Sequence, residues 1–488
     1  MEIIENFLKK KNYLECITFL IDNTLNYHLT MFFCEYVISH ENIVKNDKFW
    51  DNYAIVNYYI GNKKKSYSLY QNIFKHGETK LSEKNIEHYI NNLKFSIPNN
   101  IKKKTNIIHN IRDVVNCVIY NFTGLTKNYI TDKGFHPLNP SIIYNPKTKE
   151  YLMNIRTVNY CFDENYKYIG DGNYETINYL ATYTPELGLK NIEKKNNYSF
   201  PHKFNFYGAE DARMFYYKQK LHISFTSLCV KDNNLQYICL GNEDGYIVLD
   251  GYGEGKIQKN WTPIVTTNDE LFFIYSFFPL VILKYDETIK NVVLNQVSLP
   301  KLYNEWRGGS QAFNLELVNK KYKDYFLCVI HESNFPTYTH RFVLLKKNCD
   351  DNIFDIYGYS PQFTFLSKDI EFCAGIAVTN YNILLSFGRL DREIYIAKLN
   401  LQNILFSLFN PNKNMSGDNY KICDTDIDIL LAELENKFKS NSIFDAITLS
   451  NNILLSFYND EINMTDEQYD TLSNYNSILF YSQNYMQI

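Results

Sequence analysis

The chain has 488 residues and an almost balanced charge, with 50 lysine and arginine residues against 54 aspartate and glutamate residues. The length allows two or three domains with a full hydrophobic core, and the charge balance excludes the basic stripe of a nucleic-acid-binding protein and an acidic solvating tail. The 42 tyrosines and the many asparagines are typical of an AT-rich genome, so their abundance says little about function.

The sequence shows no sign of export or of a membrane anchor. The ten cysteines are scattered and none forms a CxxC pair, which favours reduced, buried thiols over a zinc or disulfide framework. The first residues, MEIIENFLKKKNY, contain no long apolar segment. The longest apolar run, residues 271–283, is too short to span a bilayer. We therefore expect a cytoplasmic protein that neither spans a membrane nor binds nucleic acid.

Residues 1–105 have helical periodicity. Apolar residues recur three and four positions apart in IENFLKKKNYLECITFLID and in HLTMFFCEYVISHENIV. In the next helix–turn–helix stretch, the pattern of Tyr58, Tyr59, Gly61, Ser66 and Tyr70 resembles a tetratricopeptide repeat. We predict a tetratricopeptide-like helical region that either packs on a neighbouring domain or presents a protein or glycan acceptor.

Residues 106–405 predict an all-β domain, because short runs rich in Ile, Val, Tyr and Phe alternate with turns. One block recurs, a polar cluster followed by two strands. It begins at residues 139, 210, 259, 308 and 371, which are 49 to 71 residues apart. Five such blocks predict a five-bladed β-propeller. The first strand of each blade lines the central channel of a propeller, so the five polar clusters are expected to converge there.

Residues 406–488 return to helical spacing and predict a C-terminal helical segment. The sequence DTD at residues 424–426 resembles a metal-binding motif of sugar transferases, but it precedes IDILLAELENKF and is more simply a helix cap. We therefore expect no metal cofactor.

Two polar clusters stand at the first two strand pairs of the β region. Asn139 opens a strand, and Arg156 lies within its apolar return strand, where a desolvated guanidinium needs a partner. That partner is either a structural carboxylate or an anionic ligand. In the second cluster, side-chain alternation predicts that Asp211 and Arg213 face the channel while Ala212 packs behind. The alternative is an ion pair between Asp211 and Arg213 that joins two blades.

Three further clusters follow. Lys259 and Asn260 precede a strand, and Arg307 precedes two glycines that allow a close approach of backbone or ligand. His331 ends an apolar strand, where a histidine is more often structural than catalytic, and Asp391 follows the last strand pair.

Taken in chain order, these clusters resemble the five-bladed propellers of the β-mannoside phosphorylases and the related β-1,2-mannosyltransferases. The resemblance covers about residues 130–400. It lies in the order of five short motifs, namely Asn139 with Arg156, then EDAR, KNW, RGGS with CVIH, and CAGIAV with LLSFGRLD. It implies a carbohydrate substrate and an inverting reaction that needs one acidic group.

The resemblance also implies a role for each matched residue. Asp211 would be the central acid/base and would protonate the leaving glycosidic oxygen, directly or through a sugar hydroxyl. Two residues would hold sugar hydroxyls, namely Asn139 and Asp391. Three would face a phosphate or another anion, namely Arg156, Lys259 and His331. Three more complete the predicted substrate contacts, namely Arg213, Asn260 and Arg307.

One departure from the family pattern concerns the anion site. Ser276 or a neighbour stands where the phosphorylases carry a further arginine, which favours a glycosyltransferase that uses a nucleotide-sugar donor. The alternatives are a mannoside phosphorylase, a glycan-binding propeller without catalysis, and a helical-repeat scaffold.

Overall fold

The computed structural model describes residues 13–24, 27–40, 47–60, 62–75, 88–89, 92–93, 108–115, 117–130, 134–163, 165–170, 174–195, 206–228, 236–253, 257–298, 300, 304–348, 352–379 and 382–409. These residues divide into two compact units, residues 1–356 with 361–401 and residues 357–360 with 402–488. The second unit is described only in part, and in it Gly358 packs against the backbone of Leu408.

The described helices are α1 Tyr13–Thr24, α2 Tyr27–His40, α3 Asp47–Tyr59, α4 Lys63–Lys75, α5 Ile111–Val114, α6 Thr123–Lys127 and α7 Leu401–Phe409. The first four lie in the stretch predicted to be helical. Their buried side chains, such as Ile17, Phe49 and Tyr70, belong to one apolar cluster with Phe273 and Leu283 of the β region. The N-terminal helices therefore share a core with the sheets.

The described strands are β1 Ile108–Asn110, β2 Cys117–Asn121, β3 His136–Asn145, β4 Glu150–Val158, β5 Cys161–Phe162, β6 Tyr168–Ile169, β7 Tyr174–Tyr183, β8 Leu189–Lys195, β9 Phe206–Tyr207, β10 Glu210–Tyr217, β11 Lys220–Leu228, β12 Gln236–Asn242, β13 Gly245–Leu249, β14 Thr262–Val265, β15 Leu271–Phe277, β16 Leu280–Asp286, β17 Asn291–Ser298, β18 Arg307–Gly308, β19 Phe313–Asn314, β20 Tyr325–Asn334, β21 Thr337–Lys347, β22 Phe354–Tyr359, β23 Gln362–Thr364, β24 Glu371–Val378, β25 Asn382–Arg389 and β26 Glu393–Asn400.

Apart from the small β5–β6 pair, the described strands form five sheets, which we number in chain order. Sheet I has the order β3-β4-β7-β8, with β9 beside β7. Sheet II has the order β10-β11-β12-β13, and sheet III has the order β14-β15-β16-β17. Sheet IV is built on β20 and β21, with β18 and β19 on one side and β22, β23 and β1 on the other. Sheet V has the order β24-β25-β26-β2.

Backbone conformation explains the tight hairpin between β10 and β11. Lys218 and Gln219 join β10 to β11, and both have positive φ angles, 49° and 61°. A two-residue turn of this kind follows the natural twist of the paired strands.

The sheets contact one another in a closed order. Strands of sheet I touch sheet II, II touches III, III touches IV, IV touches V, and β24 of sheet V touches β3 of sheet I. Sheet V is completed by β2, which precedes sheet I in the chain and pairs with β26 from Cys117–Leu399 to Asn121–Tyr395. Each polar block of the sequence stands at or beside one of the strands β3, β10, β14, β18 and β24, and we call that strand the first strand of its sheet.

At this level the predicted mainly β, propeller-like arrangement is confirmed. The count of five blades and the resemblance to a tetratricopeptide repeat stay predictions. The C-terminal helical segment and the DTD sequence lie outside the described residues, apart from α7. None of the helices described is long and apolar enough to cross a membrane.

Candidate active site

Three of the polar blocks share an unusual backbone conformation. Asn139, Asp211 and Asn260, at the starts of the first strands of sheets I, II and III, have φ angles of 39°, 49° and 61°. Asparagine and aspartate adopt this left-handed region more readily than other non-glycine residues. The pairing of β3 with β4 shifts register around Asn139, and the pairing of β10 with β11 shifts register around Asp211, as in a β-bulge. These bulges turn the polar side chains out of the regular alternation and toward one another.

The carboxylate of Asp211 lies at the centre of the resulting cluster. Its Oδ1 accepts hydrogen bonds from Asn139 Nδ2 and Arg156 Nη1, both at 2.8 Å. Burial raises the pKa of Asp211, but the charges of Arg156 and Arg213 and the hydrogen bond from Asn139 outweigh it and hold the pKa below its usual value. Asp211 is therefore ionised at neutral pH.

Arg156 has the partner that an arginine in an apolar strand requires. It is only 4% exposed, and its other nitrogens donate to Tyr160 Oη at 2.9 Å and to Thr176 Oγ1 at 3.3 Å. The ion pair with Asp211 is the salt bridge that the sequence offered as one alternative.

Arg213 is buried and donates its hydrogen bonds mainly to backbone carbonyl groups. The side chain is 1% exposed and donates to Gly309 O and Asp211 O at 2.7 Å, to Asn260 Oδ1 at 2.9 Å and to Gly308 O at 3.3 Å. The bulge between Glu210 and Arg213 interrupts the regular alternation at Asp211, while Ala212 packs into an apolar cluster with Met214 and Phe225. The described contacts of Arg213 tie sheet II to the first strands of sheets III and IV.

The two glycines after Arg307, Gly308 and Gly309, allow the backbones of neighbouring strands to approach closely next to Arg213. A Cβ on Gly308 would lie closer than 3.0 Å to the carbonyl oxygen of Asn260, and one on Gly309 would lie 2.5 Å from Val329 O. Only glycine permits these backbones to come so close. The predicted close approach at this loop is therefore an approach of backbone to backbone.

Two cationic groups remain accessible at the edge of the cluster. Lys259 Nζ lies 3.3 Å from Glu210 Oε1, and its side chain is 41% exposed. Arg307 is exposed, and its guanidinium has no ion pair or hydrogen bond with any described residue. Arg307 is paired in register with His331.

His331 lies on β20, opposite Arg307 in the strand pairing. It is buried and stacks on Tyr338 with ring centroids 5.6 Å apart. Burial, together with the charges of Arg307 and Arg213, lowers the pKa of His331 to about 3. The imidazole is therefore neutral at physiological pH and can act toward a ligand only as a neutral hydrogen-bonding group.

A second carboxyl group completes the cluster. Asp391 has a φ angle of 50° in the turn between β25 and β26, and its carboxyl group has no hydrogen bond to another described residue. Burial raises the pKa of Asp391 to about 7; Arg156 opposes this effect, and the carboxylates of Asp211 and Glu210 add to it. The environments of the two aspartates thus move their pKa values in opposite directions, and Asp391 holds its proton to a higher pH than Asp211 does.

Some residues of the cluster were not foreseen. Glu210 lies between two cations, 3.9 Å from Arg156 Nη1 and 3.3 Å from Lys259 Nζ. Tyr160 and Tyr168 stand beside the aspartates, in the aromatic stretch NYCFDENYKYIG. The high density of aromatic residues in this stretch could have indicated a binding site, but tyrosine is so abundant in the whole chain that the stretch does not stand out. Within the described residues, no group of three or more His, Cys, Asp and Glu side chains is arranged to hold a metal ion.

The geometry suits a ligand with many hydroxyl groups and a small anionic group. Carboxylates and amides accept and donate hydrogen bonds to hydroxyls, and Arg307 and Lys259 can attract an oxyanion.

Solved structures with a similar fold come from carbohydrate-active enzymes. A β-1,2-mannobiose phosphorylase from Listeria innocua is 13% identical over 60% of this chain and 99% of its own, with a TM-score of 0.42. A glycosyl hydrolase from Bacteroides ovatus is 13% identical over 63% and 96%, with a TM-score of 0.39. A mannose phosphorylase from Leishmania mexicana in complex with phosphate ion is 12% identical over 55% and 85%, with a TM-score of 0.34. Similarities this low carry no argument about the chemistry of this chain.

The sequence comparisons gave no relative. No protein-family profile matches the chain, and no curated protein matches it either.

Proposed function

We propose that the protein is a carbohydrate-active enzyme that makes or breaks a glycosidic bond with phosphate as the second substrate. The observation that carries this proposal is the environment of Asp211, an ionised carboxylate held by Asn139 and Arg156 beside a second carboxyl group, Asp391, with a raised pKa. An ionised carboxylate can take a proton from an attacking hydroxyl group, and a second carboxyl group that keeps its proton more easily can donate and accept hydrogen bonds with sugar hydroxyls.

The five sheets are, in this proposal, the five blades of a propeller. Sheet IV fits because β18 and β19 both pair with β20, while β22 and β23 both pair with β21. Apart from the short strand β1, which adds to β23 at the outer edge, sheet IV is therefore four strands wide, like the other blades, with its first and last positions interrupted. The closed order of contacts from sheet I to sheet V and back supports the same count. The first strands then bring Asn139, Asp211 and Arg307 to one channel.

Asp211 is the central acid/base of the proposed reaction. In synthesis, the acceptor hydroxyl gives its proton to Asp211, the acceptor oxygen bonds to the anomeric carbon, and the bond from that carbon to the phosphate oxygen breaks. In phosphorolysis, the proton returns from Asp211 to the leaving oxygen, directly or through a sugar hydroxyl. The ionised state of Asp211 suits the synthetic direction, because the carboxylate starts without a proton.

The phosphate is placed near Arg307 and Lys259. Arg307 has a guanidinium without an ion pair among the described residues, and a guanidinium binds phosphate oxygens in a bidentate manner. His331 is paired with Arg307 across β18 and β20 and would contribute a neutral hydrogen bond. Asn139 and Asp391 would hold the sugar hydroxyls. One guanidinium and one lysine match a single small oxyanion, so a phosphorylase is preferred over the nucleotide-sugar transferase predicted first.

The direct test is synthesis from a sugar 1-phosphate. Purified protein is incubated with mannose 1-phosphate or glucose 1-phosphate and a panel of sugar acceptors, and phosphate release is measured. The panel begins with mannosides because of the motif resemblance. Asp211→Asn should lower the rate at least about 100-fold. The matched control is Asp244→Asn, the same change at an exposed turn of sheet II, and it should keep full activity.

Three results would contradict the proposal. Full activity of the Asp211→Asn enzyme would remove that residue from the chemistry. Transfer from a nucleotide sugar, without any activity on sugar 1-phosphates, would restore the transferase. Sugar binding without turnover under all conditions would indicate a glycan-binding propeller.

A further inference from the structure

An aromatic hairpin lies between two adjacent strands of sheet I. Strands β4 and β7 are neighbours in the sheet, yet residues 159–173 connect them and form the small pair β5–β6. We call residues 160–169 the aromatic hairpin, because four of them are Tyr160, Phe162, Tyr166 and Tyr168. A connection between neighbouring antiparallel strands needs only a few residues, so this excess length is not required by the sheet.

The aromatic hairpin leaves sheet I at the end where the site lies. Arg156 is opposite Leu138 in the pairing of β4 with β3, so β4 ends where β3 begins, next to Asn139. Tyr160 is fixed there by the hydrogen bond from Arg156 Nη2 to its hydroxyl at 2.9 Å. Farther along, Tyr166 donates to Asp369 Oδ1 at 2.7 Å, two residues before the first strand of sheet V.

The hairpin also reaches sheet IV. The turn between β20 and β21 carries Phe335, whose ring centroid is 5.8 Å from that of Tyr166. Because Arg307 is opposite His331 near the end of β20, this turn lies at the same end of the sheets as the site. The aromatic hairpin therefore runs from sheet I past the start of sheet V to the tip of sheet IV, along the mouth of the site.

Two aromatic side chains on this path are exposed. Tyr168 is 57% exposed and Phe335 is 62% exposed. Tyr168 is held by Phe162, with ring centroids 4.3 Å apart, and by Tyr160, with ring centroids 5.4 Å apart. The carboxylates of Asp391 and Glu210 lie close enough to act electrostatically on the Tyr168 hydroxyl. The ring thus offers an apolar surface to solvent in direct continuity with the polar cluster.

We propose that the exposed ring of Tyr168 forms a second sugar subsite, which binds the unit on the far side of the glycosidic bond from the sugar held at Asp211 and Asn139. A sugar ring can lay its C–H face on an aromatic ring, and its hydroxyl edge can then reach carboxylates such as Asp391. An exposed aromatic surface next to a polar site is typical of ligand-binding grooves. This inference rests on the proposed function and makes its substrate an oligosaccharide of two or more units.

The experiment compares affinities along a series of sugars. Mannose, β-1,2-mannobiose and β-1,2-mannotriose are titrated calorimetrically into wild type and into three variants, Tyr168→Ala, Tyr168→Phe and Tyr120→Ala. Tyr120 is the control because it is an exposed tyrosine on β2, the outermost strand of sheet V. We expect Tyr168→Ala to bind mannobiose about 10-fold more weakly with mannose binding unchanged. Tyr168→Phe and Tyr120→Ala should bind like wild type.

The outcomes separate the subsite from the reaction. Equal mannobiose affinity of wild type and Tyr168→Ala, in a protein that releases phosphate, would overturn the subsite and leave the phosphorylase standing. Mannobiose binding that depends on Tyr168, without phosphate release from any sugar 1-phosphate, would keep the subsite and refute the phosphorylase. Absence of binding by wild type to any sugar of the series would overturn the subsite, and phosphate release from other sugar 1-phosphates would then decide the reaction separately.

Discussion

Replacing Arg213 by methionine tests whether the site is held together by this one side chain. Methionine fills a similar length but can donate no hydrogen bond. In the native protein the guanidinium joins the carbonyl oxygens of Asp211, Gly308 and Gly309 to the side chain of Asn260. Burial lowers the pKa of Arg213 to about 10, so it carries its charge at neutral pH.

The expected loss follows from these contacts. Hydrogen bonds from a charged donor contribute about 1.5–3 kcal/mol each, and burial of the guanidinium costs several kcal/mol. Arg213→Met removes both effects but leaves buried acceptors without partners. We expect the free energy of unfolding to fall by about 3–5 kcal/mol, as is typical when one partner of a buried charge network is removed.

Urea denaturation followed by tryptophan fluorescence measures this change as a shift in midpoint at constant slope. The matched control is Arg389→Met. Arg389 pairs with Asp369 and Glu393, but its side chain is 26% exposed and water can partly replace the lost contacts, so its replacement should cost less, about 1–2 kcal/mol. Equal losses in the two variants would refute the argument that Arg213 has a special structural role.

Two further predictions concern the backbone and the second carboxyl group. Gly308→Ala should destabilise the protein, because its Cβ would clash with sheet III, whereas Gly124→Ala in α6 has nothing within 4 Å of its Cβ and should be neutral or stabilising; equal thermal midpoints would contradict this. Asp391 keeps its proton in the folded state up to about pH 7 but loses it near its ordinary pKa of about 4 when unfolded, so its contribution to stability falls as pH rises between these values. The stability of Asp391→Asn relative to wild type should therefore rise between about pH 4 and pH 7 in urea titrations. Burial also raises the pKa of Glu371 to about 7, so part of the pH dependence remains in both proteins. Identical pH profiles would show that Asp391 is ionised in the fold.

The strands and the polar clusters could be predicted because they depend on local patterns. Alternation and turn residues marked the hairpins, and a charge at the start of an apolar strand marked Asp211. Arg156 stood out for the same reason, since an arginine within an apolar strand needs a partner, and the sequence contained carboxylates that could provide one.

The exact direction of the side chains could not be predicted, because it depends on a bulge and on distant backbone. The positive φ angle of Asp211 and the register shift between Glu210 and Arg213 interrupt the alternation, and the sequence pattern contains no sign of either. The acceptors of Arg213 are carbonyl groups of Gly308 and Gly309, which lie more than 90 residues later in the chain. Tyr168 could not be singled out among 42 tyrosines.

The pairing of β2 with β26 also constrains how the protein is made. The strand Cys117–Asn121 leaves the ribosome early, but its partner Glu393–Asn400 is synthesised more than 270 residues later. Until then the chain carries an unpaired strand, and contacts this distant in sequence form slowly. A chain that stops before residue 393 would leave the edge of β25 open, and an open edge of this kind invites aggregation. Premature termination late in the β region should therefore cause aggregation even when sheets I to IV have been synthesised in full.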